Sequence, residues 1–282
     1  IVGIVGESGC GKSMTAMSIM GLIKNPGKIV GGSIDFCGTE LTKLSVRDYA
    51  KIRGKDISMI FQEPMTSLNP VVKVGKQVME AIILHEKISK EEAKMRVIEI
   101  FNEVGIPEAE KRFNSYPHEL SGGLRQRVMI GMAMICKPKL LIADEPTTAL
   151  DVTIEAQILK LMKKLCESVG TSIIMITHNM GVVAEICDYV YVMYAGRVVE
   201  STMTKTLFNE TAHPYTNGLL KSIPTIGKKQ DRLYTIKGNV PNILNLPKGC
   251  RFVDRCDYAQ DVCFSSRPAD EYIKDNHMVS CF

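Results

Sequence analysis

The apolar residues of this chain fall into short unbroken runs separated by stretches of helical period. Ile1-Val2-Gly3-Ile4-Val5 opens the sequence as a buried strand. Ser13 to Met20 follows with helical composition. Gly31-Gly32-Ser33-Ile34-Asp35-Phe36 predicts a strand after a glycine turn, and Ile57 to Phe61 predicts another that ends at Gln62. From Val74 to Glu103 the period changes. Val78, Ile82, Ala93, Val97, Ile100 and Phe101 recur at helical spacing with charges between them, and Ser89 followed by Glu91 and Glu92 marks a helix start. After Pro138 strands and helices alternate again: strand 140–143, helix 153–168, strand 172–177, helix 180–186, strand 189–194. A turn at Ala195-Gly196 leads on to Arg197-Val198-Val199-Glu200. No internal repeat or low-complexity run occurs. The pattern predicts an α/β core from residues 1–63 and 136–225, a helical subdomain at 64–135, and a C-terminal extension at 226–282.

The 282 residues suffice for one large domain or two smaller ones. With 45% hydrophobic and 23% charged residues the composition is that of an ordinary globular protein, and a net charge of +4 is too mild to imply a nucleic-acid partner. Apolar runs such as Tyr189 to Ala195 are too short to span a bilayer. No signal-peptide pattern is visible, so a reducing compartment is expected. The sequence begins inside a strand without Met, which predicts further chain upstream.

Gly6-Glu7-Ser8-Gly9-Cys10-Gly11-Lys12-Ser13 fits the phosphate-loop pattern and stands where that pattern must, between a strand and a helix. Glycines let successive N–H groups curl toward phosphate oxygens, and the helix start adds a favourable dipole. Lys12 supplies charge at the β/γ-phosphates, and the Ser13 hydroxyl can hold Mg²⁺. The fold expected is therefore a P-loop NTPase, RecA-like core. Leu140 to Ala143 runs into Asp144 and Glu145, which places Asp144 at the C-terminal end of a buried parallel strand, able to bind Mg²⁺ through water. Glu145 beside it can polarise the attacking water. Alone, such an acid pair would read equally well as a solvated turn with a helix cap; the upstream phosphate loop changes that. Ser121-Gly122-Gly123, before a helix starting near Leu124, offers a second anion site. A chain that already has one phosphate loop has use for a second on the ATP of another subunit, in a head-to-tail pair.

These elements resemble the ATP-binding cassette ATPases of membrane transporters. The matching residues are GESGCGKS at 6–13, Gln62, LSGGLRQR at 120–127, LLIADEP at 140–146, Ala149-Leu150-Asp151 and His178, in the family's order. SMTAMSIMGLI after the phosphate loop, IFQEPMTSLNP at 60–70, ADEPTTALDVTIEAQIL at 143–159 and the cysteine-bearing tail narrow the resemblance to the dipeptide/oligopeptide import branch. One departure is Leu124, where that branch often carries Met or Gln. The resemblance implies catalytic roles for Glu145 as general base, His178 at the γ-phosphate and Gln62 as sensor of Mg²⁺ and water. It places Asp151 in a loop crossing to the partner, and Ser121, Gly122 and Gly123 on the partner's ATP. It puts the adenine-stacking aromatic upstream of residue 1, and makes Glu63 to Pro70 the point where ATP closure reaches the membrane subunits.

The same resemblance implies the assembly: a second ATP-binding subunit, identical or not, two integral-membrane permease subunits, an extracytoplasmic substrate-binding protein, and a peripheral place on the cytoplasmic face of the membrane. Relatives carry dipeptides, longer peptides, nickel chelates and other small solutes, so the cargo stays open. A non-transport cassette ATPase is the alternative, but coiled-coil arms between phosphate loop and signature, and a second cassette in the chain, are both lacking.

Nine cysteines are unevenly spread. Cys10, Cys37, Cys136, Cys166 and Cys187 are expected to be small core hydrophobes. Cys250, Cys256, Cys263 and Cys281 crowd the tail, enough thiolates for a [4Fe–4S] cluster, although the spacing is not that of ferredoxins and lacks the C-x₂-C knuckle common in zinc sites. An iron–sulfur cluster, a zinc ion, and reduced or disulfide-linked cysteines are the three readings. The resemblance to the peptide-import extension favours the cluster, as a staple for a tail with little core.

Overall fold

The computed structural model describes residues 1–62, 67–148, 150–223 and 234–282. Glu63 at the start of the expected transmission segment, and Ala149 of the family motif, lie outside the described residues. The strands are β1 (Val2–Val5), β2 (Asp35–Phe36), β3 (Thr39–Glu40), β4 (Ile57–Ile60), β5 (Leu140–Asp144), β6 (Ser172–Thr177), β7 (Tyr189–Tyr194), β8 (Arg197–Met203), β9 (Glu271–Lys274) and β10 (His277–Val279). The chain forms two compact units, one of residues 1–15 and 175–282 and one of residues 16–174.

The first unit is built on a mixed sheet. β1 runs parallel to β7, with Val2 opposite Tyr189 and Val5 opposite Val192. Ala195 and Gly196 then turn the chain with positive φ, 44° and 82°, and β8 returns antiparallel with Arg197 opposite Tyr194. Two left-handed residues are what a tight hairpin needs to match the twist of its strands. β8 stays paired with β7 to its end, Met203 opposite Tyr189, and the tail comes back along its other edge: Met278 of β10 lies opposite Ser201, and β9 pairs with β10. The tail also reaches the core. Phe252 lies 5.1 Å from the Tyr194 ring and 5.4 Å from that of Tyr215, and all three rings are buried.

A polar cluster is sealed beneath this corner. Glu200 is 0% exposed and accepts hydrogen bonds from the backbone N–H of Ala212 (2.9 Å) and His213 (3.0 Å), with His277 Nε2 at 2.8 Å. A buried carboxylate persists only when it is satisfied in this way. His213 Nδ1 in turn accepts from the Tyr215 N–H and so caps the Pro214–Lys221 helix.

The second unit carries the longest helices. β4 and β5 are parallel, and β2 and β3 form a small hairpin. Val74–Ile83 and Lys90–Glu103 pack through the residues whose spacing predicted them, Val78, Ile82, Ala93, Val97, Ile100 and Phe101, all buried. Ser89 Oγ accepts from the Glu92 N–H, as a helix start requires. The strand expected at 31–36 is only Asp35–Phe36, and Gly31 and Gly32, both exposed, form no strand. The Val46–Ile52 helix, capped by Ser45, was not anticipated. Of the cysteines expected in the core, Cys10, Cys166 and Cys187 are buried and Cys136 is half-buried. Cys37 is not a core residue; it is exposed at the β2–β3 turn with φ 52°.

Burial holds the His213 imidazole down at about 4 from its ordinary 6.5, outweighing the nearby Glu200 carboxylate. The folded value lies below the unfolded one, so the unfolded chain takes up the proton first as pH falls. Stability from this group is complete above about 6.5 and is lost as pH drops toward about 4. The loss should approach about 3 kcal/mol at the acid end. Denaturant titrations across that window should show His213→Asn, which keeps a capping acceptor, with a flatter pH profile than wild type. Parallel profiles would contradict a neutral buried His213.

Candidate functional site

The phosphate loop leaves β1 at Gly6 and enters the Lys12–Ile19 helix. Gly6 has φ +155°, and a Cβ there would sit 2.2 Å from the Met193 carbonyl oxygen, so no other residue lets the loop lie against β7. Cys10 is buried as the loop's anchor, and its carbonyl accepts from the Gly196 N–H at 2.8 Å. Ser8 and Gly9 form the exposed rim, and Gly11 and Ser13 are half-buried. Lys12 is 5% exposed; its Nζ donates to the carbonyls of Gly6 (2.7 Å) and Glu7 (3.1 Å), which holds the cation over the loop's own mouth. Glu7 has two partners that no local pattern announces. Its N–H donates to the Tyr215 hydroxyl at 2.9 Å, and Arg255 grips its carboxylate with both terminal nitrogens, at 2.7 and 3.0 Å. In the same unit His178 is exposed just after β6, beside Asn179, which caps the Met180–Ile186 helix.

The second unit brings the other groups together by strand register. Ile60 of β4 lies opposite Ala143 of β5. Two residues on, that register sets Gln62 beside Glu145, and Gln62 Nε2 donates to Glu145 Oε2 at 3.0 Å. Thr148 Oγ1 donates to the same oxygen at 3.1 Å. Glu145 has φ 47°, a left-handed conformation that costs a non-glycine residue about 1–2 kcal/mol and that recurs at functional sites. Asp144, before it, is 3% exposed. Ser121 caps the Gly122–Met134 helix by accepting from the Leu124 N–H, and Gln126, fully buried in that helix, donates to the Pro146 carbonyl at 2.5 Å. The signature helix is thus tied to the loop that follows Glu145. A Cβ on Gly122 would meet nothing within 4 Å among the described residues. Asp151 is exposed at the start of the Val152–Val169 helix.

In the tail, Cys250, Cys256, Cys263 and Cys281 all line one pocket of about 90 Å³, together with Tyr258 and Phe282. Gly249 makes this possible: a Cβ there would lie 2.1 Å from the Cys263 carbonyl oxygen, to which the Cys250 N–H donates at 2.8 Å. Burial, then the neighbouring thiols, push the Cys281 thiol up; Cys250 and Cys256 are also raised, chiefly by burial. All nine cysteines are free, so the disulfide reading has no support. Among the described residues, no group of three or more His, Cys, Asp or Glu could hold a metal ion as they stand, so neither the zinc nor the cluster reading gains support from a formed site.

Comparison with known proteins places these parts. The model of the ABC transporter family matches residues 1–148, and that of the oligopeptide/dipeptide transporter C-terminal region matches residues 199–263. The oligopeptide transport ATP-binding protein AppD of Bacillus subtilis is 55% identical over 282 residues, all of this chain and 86% of its own. The oligopeptide transport ATP-binding protein OppD of Escherichia coli is 51% identical over 281 residues, 100% of this chain and 83% of its own. A dimeric ATP-binding cassette solved in a post-hydrolysis state with ADP and Pi superposes with a TM-score of 0.64 at 29% identity, covering 72% of this chain and 85% of that one. No helix among the described residues is long and apolar enough to cross a membrane. The chain belongs to the ABC transporter family, as an ATP-hydrolysing cassette of P-loop NTPase fold that carries the oligopeptide/dipeptide transporter C-terminal region.

Proposed function

We propose that this chain powers the import of dipeptides or oligopeptides through separate membrane permease subunits, as a peripheral subunit on the cytoplasmic face. The observation that carries the mechanism is the Gln62–Glu145 pair, set by strand register at the carboxylate that a hydrolytic water needs. The relatives named for oligopeptide transport, alike over the whole chain, carry the cargo.

In this reading the N–H groups of the phosphate loop and Lys12 hold the triphosphate. Each unit offers oxygen donors of the kind Mg²⁺ takes, the Ser13 hydroxyl in the first and the Gln62 amide and buried Asp144 carboxylate in the second, and the ion when bound would neutralise charge on the phosphates. Glu145 accepts the proton of the attacking water, Gln62 fixes the carboxylate's direction, and His178 steadies the γ-phosphate. Ser121, Gly122 and Gly123 serve the ATP of a second ATP-binding subunit, a reading supported by the open space beside Gly122 among the described residues, and Asp151 lies on the loop that crosses to it. The membrane subunits dock on an apolar groove of about 340 Å³ in the second unit, lined by Met20, Leu22, Phe61, Leu68, Met129 and Met132. It adjoins Gln62 in sequence, so closure on ATP is felt there. An extracytoplasmic binding protein delivers the peptide.

In this reading Cys250, Cys256, Cys263 and Cys281 would be the ligands of a [4Fe–4S] cluster with a structural role in the tail. What supports it is the number of thiols and their place around one pocket, which would have to close further to hold the cluster.

Glu145→Gln should bind ATP normally and lower phosphate release by the assembled transporter roughly a hundredfold or more. Cells relying on that variant should not take up a labelled oligopeptide that wild type imports; near-normal release would remove Glu145 from its role. Gly122→Asp should keep monomer ATP binding, since the site is open, yet abolish ATP-driven pairing by setting a carboxylate against the partner's γ-phosphate. Pairing by light scattering that survived this change would refute the action in trans. Protein purified without oxygen should carry about four iron and four sulfide per chain. One zinc without sulfide, or no metal with free thiols, would replace the cluster reading.

A further inference from the structure

Arg255 stands apart from every role above. Its side chain is 4% exposed, and its bidentate partner Glu7 belongs to the phosphate loop. Arg255 is itself fixed: Nε donates to the Lys237 carbonyl at 2.8 Å, and the guanidinium lies 5.7 Å from the Tyr194 ring centre and 5.9 Å from that of Phe252. A second arginine of the same segment, Arg251, donates to the Ala195 carbonyl, and the next residue, Gly196, donates to Cys10 of the loop. Both arginines adjoin tail cysteines, Arg251 after Cys250 and Arg255 before Cys256. The segment that presents two thiols to the pocket therefore also holds the phosphate loop, directly at Glu7 and, by way of Ala195-Gly196, at Cys10.

A carboxylate in a loop that receives a polyphosphate opposes binding unless its charge is balanced and its side chain held aside. A bidentate arginine does both, which a lysine cannot. We propose that Arg255 is a positioning residue for the phosphate loop, through which the arrangement of the tail thiols sets the chain's affinity for ATP. The inference rests on the reading of residues 6–13 as an ATP site.

The test is calorimetric titration of the full chain with ATP, with thermal unfolding without nucleotide as a control. Arg255→Gln should raise the Kd about tenfold, within the usual range of coupling between sites, and Arg255→Lys should fall between it and wild type. Steady-state hydrolysis should show a raised KM with kcat little changed. In a Glu7→Gln background, Arg255→Gln should add little, because the charge it balances is gone. Cys256→Ser should weaken ATP binding when Arg255 is present and not when it is Gln. If Arg255→Gln does not fold, the Lys variant carries the same comparison. An unchanged Kd, or an equal effect with and without the Glu7 carboxylate, would show that the pair only fastens the tail. A wild-type chain that bound no ATP would overturn the nucleotide reading itself.

Discussion

Parallel pairing of β4 and β5 is the constraint on which the hydrolytic groups depend. Two parallel strands advance in step, so residues the same distance past the end of each strand emerge side by side. Ile60 and Ala143 are partners, and two residues on Gln62 and Glu145 are hydrogen-bonded, although 83 positions separate them in sequence. Residues 61 to 139, most of the helices of the second unit among them, are an excursion between the two arms of one small device. A slip of one residue would place a neighbour of Gln62 at the carboxylate and exchange the side chains that one strand packs on its two faces. The packed core of the unit, with Ile57, Ile60, Leu141 and Ile142 nearly inaccessible, is what forbids that slip.

Much of this was legible because parallel strands buried on both faces are written as unbroken apolar runs, and the runs at 57–61, 140–143, 172–177 and 189–194 all became strands. Helices with a clear apolar stripe were equally legible. Val46–Ile52 was missed because it buries little beyond Tyr49 and so carries no period. Gly31 and Gly32 misled for the opposite reason: a β-like run beside them had no partner strand to complete it. At the site, Gly6 to Ser13, Asp144 and Glu145 announce themselves by residue type, since the chemistry needs those types. The left-handed backbone of Glu145 has no such mark, and Arg255 has none either, because a contact spanning 248 residues leaves no local pattern.

The tail shows how a segment poor in core can still be held. It contributes Phe252 to the aromatic cluster, His277 to the buried Glu200, and β10 to the sheet, and it buries Val253. Each contact borrows interior from the preceding chain. The cysteines that the sequence marked as a group thus sit on a frame already anchored on several sides.

That anchoring has a consequence for the sheet. Without the tail, β8 would present a seven-residue row of unpaired backbone donors and acceptors, the kind of edge on which other chains add strands. β10 pairs with the middle of that row, at Glu200 and Ser201, and β9 becomes the outer strand there. β9 is four residues long and exposed throughout, and it carries Glu271 and Lys274 at its ends, Lys274 paired with Glu210. Short, charged edges are poor templates for aggregation. The tail therefore also guards solubility: a chain cut after the Pro214–Lys221 helix would keep its phosphate loop and expose the adhesive margin that β9 and β10 now cover.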